Sequence, residues 1–277
     1  PYTTLFRSQY DASSINDIPV EVFYKELARY QSLVNNAKEA FADSKTGMAP
    51  GVMGLTAEDM QNFYSQLPKR LESVIWLEQS GKPGYEQAQA IAQKKFDAVQ
   101  KPFTYSFGVS SDAMDYQTLL SLLLTLLCAV IAAPVFASDA QTGAQDIQLC
   151  TKNGGLRLAA AKLAAAFSIT GAAYLLCGVV WILVTNALFG WESTQTSVQW
   201  LFSVTSLLPY TVGQMEWVML VANFLIFFAE VAFVLMASVW AKNNLTALSV
   251  ALISVVAPLI VYMVVPGSFG EWLSTLI

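Results

Sequence analysis

The stretch TLLSLLLTLLCAVIAAPVFA, residues 118–137, decides the fold class of this chain. It lies in an uncharged run between Asp115 and Asp139, and a helix of about 20 apolar residues is long enough to cross a bilayer. Its Leu, Ile, Val and Phe side chains favour insertion by roughly 3 to 7 kcal/mol. The stretch therefore predicts a membrane-spanning helix at residues 117–137.

Three further apolar runs have the same character, and we predict spans at 165–188, 217–240 and 245–265. The run at 193–215 is also uncharged, but it is rich in Ser, Thr and Gln and contains Pro209. We interpret it as an interfacial or re-entrant segment, with a further span as the alternative. Small residues of the second span suit close packing of helices: Gly171, Ala172, Ala173 and Gly178.

Composition also indicates a membrane protein. The 277 residues are 55% hydrophobic and 13% charged, against about 25% charged in soluble chains. The mean hydropathy is +0.48 and the net charge is -5. The chain has no histidine, which excludes acid–base catalysis and metal sites that use that residue. The three cysteines, Cys128, Cys150 and Cys177, do not predict a disulfide framework.

Most charged residues lie before residue 113, which predicts a water-facing helical domain at 9–115. Thr56 and Asp59 have the spacing of a capping box, and the loop 44–55 is rich in Gly and Pro. We predict further helices around 71–75 and 85–99. One apolar stripe has helical spacing: Val20, Phe23, Leu27, Tyr30, Val34, Ala37 and Phe41.

Two further features of this domain are its pairs of basic residues and an aromatic stretch at its end. Lys69-Arg70 and Lys94-Lys95 are expected on solvated faces, and because acids outnumber bases here we expect no nucleic-acid binding. The stretch PFTYSF, residues 102–107, alternates aromatic residues, which indicates a short strand or aromatics at the membrane interface.

The orientation follows from the basic residues after position 112, which are Lys152, Arg157, Lys162 and Lys242. With four spans they all lie on one side, and the positive-inside rule makes that side cytoplasmic. The linker 138–162 is then cytoplasmic and the domain 9–115 extracytoplasmic. We therefore predict an all-α, polytopic transmembrane protein with an extracytoplasmic helical domain.

Glu230 lies within the third predicted span. The apolar residues of that span contribute about -4 to -8 kcal/mol, which outweighs about +3 kcal/mol for one central acid. We expect Glu230 to face the bundle interior or a wet cavity, either in a functional role or as a hydrogen-bonded packing residue.

The linker region reads FASDAQTGAQDIQLCTKNGGLRLAAAKLAAA, residues 136–166. It resembles the linker between the second and third transmembrane helices of ATP-binding-cassette (ABC) type-2 exporter permeases. The family pattern has Glu, a short spacer with Gly-Thr or similar, Thr and Lys or Pro, Gly-Arg and Ala-Lys; here Asp139 replaces the Glu and Gly155-Leu156-Arg157 replaces the direct Gly-Arg. The corresponding residues are Asp139, Thr142, Gly143, Asp146, Thr151, Lys152, Gly154, Arg157 and Lys162.

The resemblance implies a permease subunit of a bacterial exporter in the plasma membrane. ATP and Mg²⁺ would bind to a separate ATPase subunit that docks on the linker, and we expect no cofactor in this chain. The sequence has no phosphate-binding G-x-x-x-x-G-K-[ST] loop, in agreement with that separation. The other expected partners are a second permease copy or homologue and membrane lipids.

The sequence is also compatible with functions of other classes. One is a membrane-anchored sensor or assembly subunit whose outer domain binds a ligand or a cell-wall partner. Another is a four-span permease of the cell-division or lipoprotein-release type. An enzyme reading would need intramembrane acid chemistry at Glu230, and we expect no enzyme activity in this chain.

The first eight residues, PYTTLFRS, match the translation of the end of a common DNA-sequencing adapter. We therefore expect residues 1–8 to be an assembly artefact. On this interpretation the sequence is the middle of a longer permease, with one span before Gln9 and another after Ile277.

Overall fold

A computed structural model describes residues 19–22, 24, 30–51, 55–108 and 111–264. Helices account for the regular structure of these ranges, which contain one isolated β-bridge and no strand. The predicted all-α class with polytopic membrane helices is confirmed. The adapter-like residues 1–8 and the stripe positions Phe23 and Leu27 lie outside the described residues.

The chain divides into two compact units. The first, here called the helical domain, comprises the described residues up to Ser111 together with Asn186–Met215. Its helices are α1 (Gln31–Glu39), α2 (Ala57–Gln61), α3 (Phe63–Gln79) and α4 (Tyr85–Asp97).

The second unit, here called the membrane unit, comprises Asp112–Thr185 and the described residues from Glu216 onward. Its helices are α5 (Ser111–Ala132), α6 (Pro134–Thr142), α7 (Ala144–Leu149), α8 (Leu156–Phe189), α9 (Val212–Trp240) and α10 (Asn244–Val264).

The centre of the helical domain is one apolar stripe on α3. Phe63, Leu67, Leu71 and Ile75 recur every fourth residue and are buried. The helix continues through Pro68, so the separate helix predicted around 71–75 is the second half of α3. We attribute this to the stripe, whose burial on both sides of Pro68 offsets the one lost backbone hydrogen bond.

The capping box predicted from Thr56 and Asp59 is confirmed. The Thr56 hydroxyl accepts from the Asp59 N–H at 3.1 Å, and the Asp59 carboxylate accepts from the Thr56 N–H at 2.8 Å. The predicted helix around 85–99 is α4, in which Ala92 and Phe96 are buried and Ile91, on another face, is exposed.

The segment 191–211, between α8 and α9, completes the core of the helical domain. It contains two 3₁₀ turns, Trp191–Gln195 and Val198–Trp200, so 193–215 does not form a continuous spanning helix. The Trp200 ring stacks on Phe63 with centroids 5.3 Å apart and meets Phe103 edge-on at 5.6 Å. A segment interpreted as interfacial therefore belongs to the domain core.

Backbone hydrogen bonds hold this segment against the stretch PFTYSF. The Ser197 N–H donates to the Thr104 carbonyl at 3.0 Å, and the Ser106 N–H donates to the Thr196 hydroxyl at 3.0 Å. Phe103 is buried in the core, while Phe107 is exposed. The stretch is thus held by hydrogen bonds to the segment 191–211, but it does not form the strand that its alternation indicated.

Arg70 corrects the expectation of a solvated Lys69-Arg70 pair, because its side chain is only 9% exposed. Its Nη2 lies 4.0 Å from a carboxylate oxygen of Glu39 in α1. The same carboxylate accepts from the Ser203 hydroxyl at 2.8 Å and the Val204 N–H at 3.1 Å. Glu39 therefore ties α1 and α3 to the segment 191–211.

In the described ranges, three helical stretches are long and apolar enough to cross a membrane: Asp112–Thr142, Leu156–Phe189 and Val212–Trp240. They contain the predicted spans 117–137, 165–188 and 217–240. The fourth predicted span, 245–265, falls on the apolar helix α10, whose part Asn244–Pro258 is shorter than those three stretches.

The side-chain pattern of α5 is inverted relative to a helix of a soluble protein. Its buried residues include the polar Gln117, Ser121 and Thr125, each at most 9% exposed. Apolar residues at every fourth position are about half exposed: Leu119, Leu123, Leu127 and Ile131. Water would penalise this arrangement, whereas hydrocarbon favours it, so the protein is a membrane protein.

Close packing within the membrane unit depends on small residues and stacked rings. A Cβ added at Gly178 of α8 would lie 2.4 Å from Leu220 of α9, so the two helices approach there as the small residues predicted. Tyr174 is fully buried and stacks on Phe227 with centroids 4.5 Å apart.

Candidate functional site

The helix of the first span is interrupted at Pro134, between α5 and α6, shortly before the linker 138–162. Proline removes a backbone hydrogen bond, and the freed groups need partners inside a membrane. Ser238 of α9 supplies partners at the junction of α5 and α6: its hydroxyl donates to the Ala133 carbonyl at 2.6 Å and accepts from the N–H groups of Phe136 and Ala137 at 3.1 and 3.0 Å. The first turn of α6 is thus fixed to α9.

An ion pair joins the two ends of the linker. The Lys162 ammonium of α8 contacts the Asp139 carboxylate of α6, and both side chains are about four-fifths buried. Lys162 also donates to the Val135 carbonyl at 3.3 Å and lies 5.6 Å from the centre of the Phe136 ring. The predicted site residues Asp139 and Lys162 therefore meet directly, and together they fix α6 to α8.

A third contact fixes α6 to α10. The Gln141 side-chain oxygen accepts from the Asn244 N–H at 2.9 Å, at the first residue of α10. Asn243 caps the same helix by accepting from the Thr246 N–H at 2.8 Å. As a result, the short helix α6 contacts all of α8, α9 and α10.

Thr142, Gly143 and Asp146 lie beyond this anchored part. The Thr142 hydroxyl donates to the Ser138 carbonyl at 2.8 Å, within its own helix. Gly143 ends α6 with φ 71°, a left-handed conformation that glycine adopts without strain. Asp146 is exposed in the first turn of α7.

Thr151, Lys152 and Gly154 form the turn between α7 and α8. The Thr151 hydroxyl donates to the Gln148 carbonyl at 2.7 Å. A Cβ added at Gly154 would lie 1.5 Å from the same carbonyl oxygen, so this position requires glycine. Lys152 is exposed, and the sequence pattern at these positions thus reflects turn geometry as well as charge.

Arg157 is exposed in the first turn of α8, where it donates to the Asn153 side-chain oxygen at 3.1 Å. It makes no ion pair with any residue that the structure describes. The tip of the linker therefore presents exposed charges of both signs, from Asp146, Lys152 and Arg157.

A groove of about 620 Å³ lies beside the linker within the membrane unit. The polar residues that line it are Asp139, Lys162, Gln145 and Gln148. Its walls are apolar and come from the linker, α8 and α9: they include Leu149, Leu156, Leu163, Phe167, Leu235, Met236 and Val239.

Glu230 lies apart from these contacts, half-buried in α9. Its carboxyl group is hydrogen-bonded to the Ser254 hydroxyl of α10, and that hydroxyl also lies 3.0 Å from the Ala251 carbonyl. The Ser254 hydroxyl is therefore shared between the Glu230 carboxyl group and a carbonyl of its own helix. The geometry accommodates a hydrogen-bonded packing residue, and a functional role for Glu230 stays a prediction.

The described residues contain no group of three or more Cys, Asp or Glu side chains that would hold a metal ion. Cys128 is buried, Cys150 and Cys177 are exposed, and all three are free thiols.

Sequence reasoning missed two residues of this site, Ser238 and Gln141. Both satisfy backbone groups at helix ends, and the signal for Ser238 was the proline in the first span, since a broken membrane helix needs a donor and acceptor nearby. Comparison with protein-family profiles, with curated proteins and with solved structures gives no match.

Proposed function

We propose that this chain is the transmembrane permease subunit of an ABC exporter, which moves a substrate across the plasma membrane with ATP hydrolysed by a separate subunit. In this proposal the linker 138–162 is cytoplasmic, and the helical domain is extracytoplasmic. The proposal combines the linker's resemblance to type-2 permeases with the arrangement of its residues.

The observation that carries the proposal is the anchoring of α6 to three membrane helices. It is bound to α8 through Asp139 and Lys162, to α9 through Ser238 and to α10 through Gln141. A partner that displaces α6 therefore displaces the ends of three helices together. Such a rigid, hydrogen-bonded element is the kind of structure through which two sites are coupled.

The linker tip has the surface that a protein partner needs. Ile147 and Leu149 are exposed apolar residues of α7 beside the charged Asp146, Lys152 and Arg157. Apolar residues surrounded by charges of both signs are typical of a specific, non-obligate interface. We assign the ATPase to this tip.

The test uses the full chain purified in mild detergent from its native cells and reconstituted into liposomes. We expect an ATPase with a phosphate-binding loop to co-purify and to hydrolyse ATP. Asp139→Lys or Lys162→Asp alone should lower hydrolysis about tenfold, within the usual range of coupling between sites. The double exchange should restore most of it, because the pair re-forms with reversed charge. Lys82→Glu, in an exposed loop of the helical domain, is the control.

Two results would contradict the proposal. One is a wild-type chain that purifies without any such ATPase. The other is hydrolysis that Asp139→Lys, Lys162→Asp and Ile147→Glu all leave unchanged while the ATPase remains bound.

A second candidate function is a membrane-anchored sensor or assembly subunit. The observation that favours it is the segment 191–211, which completes the core of the helical domain and is continuous in sequence with α8 and α9. A ligand that rearranges the core then acts on the ends of both helices. This candidate would be supported if a ligand changed the protection of residues 191–211 from hydrogen exchange in a protein that has no ATPase partner.

A further inference from the structure

A pocket of about 380 Å³ opens on the surface of the helical domain. It shares no residue with the linker, so a ligand bound there is independent of the proposed function. Its lining comes from the loop after α1, from one face of α3 and from the first residue of α4: Ser44, Lys45, Lys69, Glu72, Ser73, Trp76 and Tyr85.

The four α3 residues of the pocket have spacings of three and four, which place Lys69, Glu72, Ser73 and Trp76 on one face of the helix. Trp76 is 50% exposed, so its ring is accessible beside the charged residues of the pocket. The Ser73 hydroxyl donates to the Lys69 carbonyl at 2.9 Å, so it serves the helix.

The loop opposite this face is held in place by Asp43. Its carboxylate accepts from the N–H groups of Lys45 and Thr46 at 2.9 and 2.8 Å and from the Thr46 hydroxyl at 3.0 Å. These bonds, first that from the Thr46 N–H, lower the pKa of Asp43, and the charge of Lys45 adds a small effect. The carboxylate is therefore ionised at neutral pH, and the loop keeps its shape there.

The same loop packs directly on α3. Gly47 has φ 70°, and a Cβ added to it would lie 3.3 Å from the Leu77 side chain. The main chain that carries Ser44 and Lys45 is thus fixed beside Trp76 before any ligand binds, which reduces the entropy cost of binding.

The groups that face the pocket define the ligand. Trp76 and Tyr85 provide aromatic surface for an apolar face, and Lys45 and Lys69 provide two ammonium groups for an anion. The Glu72 carboxylate can only accept hydrogen bonds, so a ligand that fits beside it must carry hydrogen-bond donors. Inorganic phosphate and simple aromatic acids offer mainly acceptors, whereas a sugar combines a C–H face with hydroxyl donors.

We propose that this pocket binds an acidic saccharide, a sugar chain whose units carry a carboxylate. The C–H face of one ring lies on Trp76, its carboxylate binds between Lys45 and Lys69, and its hydroxyl groups donate to Glu72. The aromatic contact supplies affinity and the two lysines select the acid.

Isothermal titration calorimetry on the detergent-solubilised full chain tests this assignment with oligogalacturonate and a neutral galacto-oligosaccharide of equal length. We expect the acidic chain to bind at least about tenfold more tightly, with an affinity that falls as salt is added. Trp76→Ala should weaken binding about tenfold and Trp76→Phe much less. Lys69→Gln should weaken binding and reduce its salt dependence.

Matched controls are Trp191→Ala, which removes an exposed tryptophan elsewhere in the domain, and Lys94→Gln, which removes an exposed lysine of α4. Both should bind as the wild type does, and circular dichroism should show the same helix content for every variant. Equal binding of the neutral sugar, no measurable binding of the acidic one at millimolar concentration, or unchanged binding by folded Trp76→Ala would each overturn the proposal.

Discussion

The indole ring of Trp200 stacks on the phenyl ring of Phe63, with their planes inclined by 19°. Trp200 also donates from its ring N–H to the Phe103 carbonyl at 3.4 Å, and its own carbonyl accepts from the Asn36 side chain. One residue of the connection between α8 and α9 therefore contacts three separate parts of the helical domain.

Replacing Trp200 by Ala should destabilise the helical domain by about 3 to 5 kcal/mol, since the change leaves a cavity in a packed core. The thermal midpoint of the domain should fall by about 10 °C or more. Scanning fluorimetry of the detergent-solubilised chain measures the thermal midpoint, and limited proteolysis of the same sample measures the loss of stability. Trp191→Ala, at an exposed position of the same segment, should change the midpoint little; equal effects of the two variants would show that Trp200 is not a core residue.

Glu39→Ala should destabilise the same domain by roughly 2 to 3 kcal/mol, because it leaves the buried Arg70 guanidinium without its carboxylate. Nε and Nη1 of Arg70 already have no hydrogen-bond partner in the described part of the chain. The double variant Glu39→Leu with Arg70→Met should recover part of the loss, as apolar replacements of buried pairs often do. Thermal unfolding of the three proteins tests this, and a double variant less stable than Glu39→Ala would contradict it.

Ser238→Ala should destabilise the membrane unit by about 1 to 3 kcal/mol, since it removes the partner of two N–H groups at the Pro134 break. The readout is hydrogen exchange at residues 134–138, which should become faster. Ser249→Ala is the matched control, because the Ser249 hydroxyl is exposed and donates to the Leu245 carbonyl of its own helix. Unchanged exchange in Ser238→Ala would mean that water or another group replaces the hydroxyl.

Gly154→Ala should disrupt the turn between α7 and α8, whereas Gly155→Ala should not. A Cβ at Gly154 would overlap the Gln148 carbonyl, but one at Gly155 would have no atom within 4 Å. Trypsin cleavage after Lys152 and Arg157 measures the difference, and we expect it to be several-fold faster in Gly154→Ala alone. Similar cleavage of both variants would show that the turn tolerates a side chain at either position.

The N-terminus of α2 should loosen at acid pH. The N–H and hydroxyl groups of Thr56 hold the pKa of Asp59 below its ordinary value of 3.8. The carboxylate therefore contributes stability that is fully present above pH 3.8 and is lost as pH falls through its lowered pKa. Hydrogen exchange at residues 55–62, corrected for the intrinsic pH effect, should show this loss of protection. Asp59→Ala should abolish the pH effect, and the same acid response in that variant would assign it to another group.

Sequence patterns predicted the local features of the fold well. The uncharged apolar runs identified three helices that the structure forms, and Thr56 with Asp59 identified a capping box, because both signals depend on neighbours in the chain. In the linker, the resemblance to type-2 exporter permeases pointed to Asp139 and Lys162, which the structure brings into contact.

Features that depend on distant residues were not predictable in this way. Arg70 is of a residue type usually found on the surface, yet it is buried beside Glu39, whose carboxylate also binds Ser203 and Val204. Trp200 stands in a polar, uncharged stretch, so its sequence context indicated a membrane interface, and no local signal connects it with Phe63. Ser238 is one small residue in an apolar helix, and its role appears only when Pro134 is beside it.

The division of the helical domain between two parts of the chain has a consequence for its synthesis. The ribosome completes residues up to Ser111 first and must then translate the first span, the linker and most of α8 before Asn186. At about 5 to 20 residues per second, that interval lasts roughly 4 to 15 s. Throughout it the nascent domain lacks Trp200 and exposes the Phe63 ring that Trp200 later covers. An early fragment ending before residue 191 is therefore a natural client for chaperones, and the insertion of α8 sets the time at which the domain can finish folding.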